Sequence, residues 1–131
     1  MVGILLVTHN GLGDSFVDCV RHVLGKVPHN LKVLTVLADD DPQLKSVEGQ
    51  ALIKQLDTGG GVLILADIFG ATPSNIARQL CHDERVMGVA GVNLPMLLRV
   101  ACSPPGKTLP ELAKIAVEGG RECIVYMNAE N

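Results

Sequence analysis

Three stretches of this sequence hold the residues best suited to chemistry. The unbroken apolar run Val2–Val7 leads into Thr8-His9-Asn10-Gly11, and a second run, Val62–Ala66, leads into Asp67-Ile68-Phe69-Gly70-Ala71. Thr72-Pro73-Ser74-Asn75 follows directly. A histidine with the ordinary pKa of about 6.5 is largely neutral at physiological pH, so one ring nitrogen can attack. A carboxylate on the other nitrogen fixes the tautomer and steadies the charge that develops on the ring. His9 is the candidate nucleophile and Asp67 the candidate orienter. The free N–H groups of a helix start bind anions. Thr72, Gly70, Ala71 and Ser74 are the candidate phosphoryl-binding residues: Thr72 adds a hydroxyl, and Gly70 and Ala71 let a phosphoryl group approach the backbone. The turn Asn10–Gly13 leads into a second helix start. Nucleophile, orienter and anion cradle are the parts of phosphoryl transfer onto histidine. Nothing in the set calls for a metal or another cofactor.

The elements that must position these residues alternate between strand and helix. Val2–Val7 and Val62–Ala66 read as buried strands, Leu31–Leu37 and Val86–Ala90 as the second and fourth strands, and Cys123–Met127 as a last one. Asp14 or Ser15 can cap a first helix carrying Phe16, Val20, Val23 and Leu24 and stopping at Gly25. Asp41-Pro42 opens a helix to about Leu56, and Thr72-Pro73 opens another. Pro95–Val100 is a helical turn, and Thr108–Glu111 is a capping box for a helix ending at Gly119-Gly120. The expected fold is α/β, doubly wound, with a mostly parallel sheet of order 2-1-3-4 and helices on both faces. Strands one and three are then neighbours, about 4.8 Å apart, so His9 and Asp67 can meet beyond their carboxyl ends.

Composition narrows the class. The 131 residues fit one domain, 1–131, with 47% apolar residues and few aromatics. A net charge of −3 without a basic stripe argues against nucleic acid. No apolar run reaches the roughly 20 residues of a membrane span, and no signal peptide opens the chain, so the expected location is cytoplasmic, without membrane insertion. Cys19, Cys81, Cys102 and Cys123 have no metal spacing and read as reduced cysteines, mostly small core hydrophobes. His22, His29 and His82 read as surface residues.

Rival motifs are weaker. Asp39–Asp41 is a loop and cap rather than a metal site. Asp67 as a phosphoacceptor would need an acidic pair after strand one, where Thr8-His9 stands. Gly106-Lys107-Thr108 is like the end of a P-loop, but the earlier glycine position is Ala101. Gly11-x-Gly13 is like a dinucleotide fingerprint, but the third glycine position is Phe16. A nucleotide- or phosphate-binding regulatory module is the alternative function.

The segments Thr8-His9, Asp67–Asn75 and Gly91-Val92-Asn93-Leu94-Pro95-Met96-Leu97 resemble the signature segments of the mannose-family IIA component of the phosphoenolpyruvate-dependent sugar phosphotransferase system. The likeness runs from about Val2 to Tyr126. It implies a phosphotransferase in which His9 accepts a phosphoryl group from the carrier HPr and passes it to a IIB partner, or serves regulation through its phosphorylation state. It maps Asp67 to the carboxylate that hydrogen-bonds the histidine, and Thr72 to the place of a serine that contacts the phosphoryl group. Phe69 falls where relatives often have an aromatic. It also implies a homodimer that exchanges the last strand. With no second domain before Asn131, the chain reads as a stand-alone IIA.

Overall fold

The computed structural model describes residues 1–130. Asn131, the end of the expected domain, lies outside them. In chain order the elements are β1 (Gly3–His9), α1 (Leu12–Leu24), β2 (Leu31–Val36), α2 (Pro42–Leu56), β3 (Val62–Ala66), α3 (Thr72–Leu80), β4 (Val86–Ala90), α4 (Leu94–Ala101) and α5 (Leu109–Glu122). The four strands form one parallel sheet in the order β2-β1-β3-β4, as expected. The winding reverses between β1 and β3, the two strands that carry His9 and Asp67 at their ends.

Alternate residues of each strand point to opposite faces. Ile4, Leu6, Leu63 and Leu65 pack with Val20 of α1, Leu97 of α4 and Ala116 of α5. Leu5, Val7, Leu34 and Ile64 pack on the other side with Leu56 of α2 and Ile76 and Leu80 of α3. Both faces are covered, which is why β1 and β3 read as unbroken apolar runs rather than alternating ones. Among the described residues no helix is long and apolar enough to cross a membrane.

Several local expectations change. The cap of α1 is Gly11, not Asp14 or Ser15, and no side chain caps it. The helix begins earlier because Gly13 lies against β1: a Cβ there would come within 2.6 Å of Thr8 Oγ1 and Val33 Cγ1. Val23, assigned to the apolar side of α1, is exposed. The residue before α3 is Ala71, so Thr72 is the first helical residue rather than its cap. The capping box of α5 is present, but the helix passes through Gly119-Gly120 to Glu122. Those glycines serve packing rather than termination, since a Cβ would stand 2.6 Å from Arg99 Cγ at Gly119 and 2.8 Å from Met96 Cε at Gly120. Close approach of α4 and α5 demands glycine at 119, where the clash is with the root of the Arg99 side chain; at 120 the flexible end of Met96 could move aside.

The segment Cys123–Met127 is not a strand within the chain: it pairs with none of the four strands. A strand exists only where its backbone groups find a ladder partner. Ile124, Val125, Tyr126 and Met127 are all exposed, and the outer edge of β4 is unpaired among the described residues. All four cysteines are free, as expected, and Cys81 is half-buried against the core, but Cys19, Cys102 and Cys123 are exposed rather than buried. Cys19 lies on the solvent side of α1, and Cys102 and Cys123 fall just beyond the last turns of α4 and α5. His22, His29 and His82 are exposed.

Candidate active site

His9 is the last residue of β1. Asn10 follows with φ 50°, a left-handed turn that asparagine tolerates, and its N–H bonds Val36 O. Asp67 follows the last residue of β3. The register pairs Val7 with Ala66, so the two strands end side by side. Asp67 Oδ2 accepts from the His9 backbone N–H and from His9 Nδ1, both at 2.8 Å, and Oδ1 accepts from the Ile68 N–H at 2.9 Å. The Asp67 side chain is 4% exposed and that of His9 42% exposed.

Burial pushes the Asp67 carboxyl up, but the bonds from the His9 N–H, the His9 ring and the Ile68 N–H outweigh it and hold the group below its ordinary value. Asp67 is therefore a carboxylate at neutral pH, able only to accept. The proton of a neutral His9 ring must then sit on Nδ1. Nε2 is left with its lone pair, on a side chain open to solvent. That is the form of imidazole suited to nucleophilic attack.

The loop after Asp67 is shaped by Ser74. Its Oγ accepts from the Gly70 N–H at 2.8 Å and donates to Ala71 O at 2.9 Å. Gly70 has φ 88°, a conformation that favours glycine. Ser74 is 3% exposed, so its hydroxyl is spent inside the turn, and the Gly70 N–H with it. Thr72 is exposed, and its hydroxyl bonds no described residue. As early positions of α3, Thr72 and Ser74 carry N–H groups that the helix itself leaves unsatisfied. The structure thus brings His9 and Asp67 into direct contact and gathers Gly70, Ala71 and Ser74 into one turn. Thr72 stands at the same end of the sheet without a hydrogen bond to either His9 or Asp67.

Two features escape inspection of the motifs alone. The N–H groups of Gly91 and Val92 both bond Ala66 O, at 2.9 and 3.0 Å. Asn93 Oδ1 caps α4 by accepting the Met96 N–H, while its Nδ2 donates to Gly120 O. The Gly91–Leu97 segment is therefore a clamp on the end of β3, one residue before Asp67. The Asn-Leu-Pro order was a readable helix-start signal for it. The second feature is apolar: Leu12, Leu37, Ile68 and Phe69, which follow β1, β2 and β3, are all exposed at the His9 end of the sheet.

The chain resembles known proteins along most of its length. It is 28% identical over 131 residues to the mannose-specific EIIAB component of the phosphotransferase system (PTS) of Escherichia coli K12, covering 98% of this chain and 40% of that protein. It thus spans about two-fifths of that relative's length. It is 29% identical over 101 residues to the PTS fructose-specific EIIA component of Bacillus subtilis, covering 76% of this chain and 68% of that one. Its fold matches that of the mannose/sorbose-specific IIA subunit from Enterococcus faecalis with a TM-score of 0.85 at 23% identity, over 97% of this chain and 95% of the other. Residues 3–117 match the model of the EIIA-man family, described as the PTS system fructose IIA component, and the chain belongs to that family.

Proposed function

We propose that this protein is a phosphoryl carrier of the sugar phosphotransferase system, with His9 as its acceptor. The observation that carries the reading is the 2.8 Å bond between His9 Nδ1 and Asp67 Oδ2, which leaves Nε2 free. Family membership supports it. In the proposed step Nε2 attacks the phosphorus of phospho-HPr, the bond from phosphorus to the carrier breaks, and a bond from phosphorus to Nε2 forms. Asp67 keeps the proton of Nδ1 in place and offsets the positive charge that grows on the ring. Thr72 and the free N–H groups at the start of α3 hold the phosphoryl oxygens. Gly70, Ala71 and the Ser74 hydroxyl act indirectly, by shaping the turn that presents them. The exposed apolar residues around His9 suit docking of a protein donor and acceptor. The group then passes to a IIB component, or its presence is read by a regulatory target.

Incubation with phosphoenolpyruvate, enzyme I and HPr tests the proposal. The wild type should gain one acid-labile, alkali-stable phosphoryl group, and His9→Ala none. Label retained by His9→Ala would overturn the assignment of the acceptor.

The reading extends to a homodimer in which residues 123–127 add to the open edge of β4 in a second copy. The exposed apolar side chains of that segment and the unpaired edge support it. Light scattering should give twice the monomer mass for the wild type. Val125→Pro removes a backbone donor from the added strand and should shift the protein toward monomer. A monomeric wild type would remove this part.

A further inference from the structure

At the amino ends of β1 and β2, away from His9, a cleft of about 380 Å³ opens between the C-terminal ends of α1 and α4. Its floor includes Val2, Ile4 and Val100, all buried. Lys26, His29 and Lys107 stand on its rim, and all three are exposed. Its lining includes no aspartate or glutamate. Neither lysine forms an ion pair among the described residues; Lys107 acts on Glu111 only through its field, while that carboxylate is held by Thr108.

The helix ends that meet here would normally present unpaired carbonyls and a partial negative charge. In this protein several are already covered. Arg21 O accepts the Gly25 N–H, Leu98 O the Cys102 N–H, Val100 O the Ser103 N–H, and Arg99 O the Ser103 hydroxyl. The formal charges left at the mouth are therefore cationic. The Gly106-Lys107 turn, with Gly106 at φ 94°, forms one lip of the cleft rather than part of a nucleotide loop.

We infer that this cleft binds a small amphiphilic anion, its hydrocarbon body against Val2, Ile4 and Val100 and its carboxylate between Lys26 and Lys107. The volume is that of a small-molecule site, and an apolar floor with a few charged groups at the rim is the usual division of labour. His9 lies five residues along β1 from Ile4, about 17 Å of strand. The ligand does not reach the phosphoryl site, so this inference stands apart from the proposed phosphoryl transfer.

An NMR titration of backbone amides in the full chain with hexanoate tests it, with 1-hexanol, hexylammonium and inorganic phosphate as controls. Hexanoate should give saturable shifts confined to residues 1–4, 24–30, 100–107 and 112, the segments that line the cleft. Hexanol should bind more weakly, and hexylammonium and phosphate should not saturate these residues. Lys26→Met/Lys107→Met, a surface change that leaves the core intact, should weaken hexanoate binding at least about tenfold. Four results would each overturn the inference: no saturable shifts, shifts clustered around His9, an equal response to hexylammonium, or a double variant that binds as well as wild type. Saturation by phosphate alone at the same residues would overturn the amphiphile and leave a plain anion site.

Discussion

At the amino end of the sheet, Asp57 is held by partners that keep their protons at neutral pH. Arg85 donates to it through Nε and Nη2 at 2.7 and 2.6 Å, and the N–H groups of Gly59 and Gly61 donate to Oδ1. At the carboxyl end, Asp67 is also held by two backbone N–H groups, but its side-chain partner is a histidine. The first arrangement ties the loop before β3 to the residue before β4. The second leaves its partner, an imidazole reached by solvent, with one ring nitrogen that Asp67 does not engage. The same residue type thus serves as a fixed clamp at one end and, in the function proposed above, as a support for chemistry at the other. The difference lies in the partner's chemistry: a guanidinium has no lone pair to offer, whereas the imidazole nitrogen opposite Nδ1 has one.

Substitution at the chemical end should produce the largest effect after loss of His9 itself. Asp67→Asn keeps the size of the side chain but loses its charge, and its amide can present a donor to Nδ1. Phosphoryl transfer from HPr should slow by about 10²–10³-fold while circular dichroism stays that of the wild type. An unchanged rate in rapid-quench measurements would remove the orienting role and, with it, the contrast between the two ends.

Smaller effects separate the groups of the α3 start. Thr72→Ala should slow transfer by about tenfold, because water replaces one exposed donor to the phosphoryl oxygens. Ser74→Ala leaves the Gly70 N–H and Ala71 O without their bridge. It should cost about 1 kcal/mol of stability in urea unfolding and slow transfer by only about threefold. A larger kinetic effect at Ser74 than at Thr72 would reverse the assignment of contact and positioning roles.

At the opposite end, Asp57→Asn should leave phosphoryl transfer unchanged and lower the urea midpoint. Its partners, Arg85 first and the Gly59 N–H next, hold the Asp57 carboxyl far below the ordinary carboxylate range. A group whose pKa is depressed by folding lends stability that is complete above its unfolded value of about 3.9 and is lost as pH falls through the folded value. The wild-type midpoint should therefore fall steeply below about pH 4, and Asp57→Asn should flatten that acid limb. Asp67 shifts in the same direction and adds to the same limb. An unaltered acid limb in the variant would show that the clamp contributes nothing.

Much of this was legible in the residues because the signals are local. The unbroken run Val62–Ala66 and the edge strand Val86–Ala90 appear with the expected bounds, and Asp41 caps α2 by accepting the Gln43 N–H. Apolar runs, caps and prolines act within a few residues, so a linear sequence displays them. The failures were positions decided by neighbours distant in sequence. Gly119 and Gly120 look like a helix stop and are contact points for Arg99 and Met96. Gly11 displaced Asp14 and Ser15 as a cap because α1 must begin against Thr8. Cys19 looks apolar by company and faces solvent, since helical periodicity alone does not say which side of α1 is covered.

Taken alone, the sequence determined the strand–helix alternation, the 2-1-3-4 order and the placement of His9 and Asp67 at the carboxyl ends of adjacent strands. Only the tertiary structure decided that one carboxylate oxygen binds both the backbone and the ring of His9, which settles the tautomer. It also decided that Ser74 closes the turn while Thr72 stays open, and that Gly91 and Val92 lock the end of β3. A sequence specifies which groups can bond; which of them meet depends on a register and a loop path set by the packing of the whole sheet.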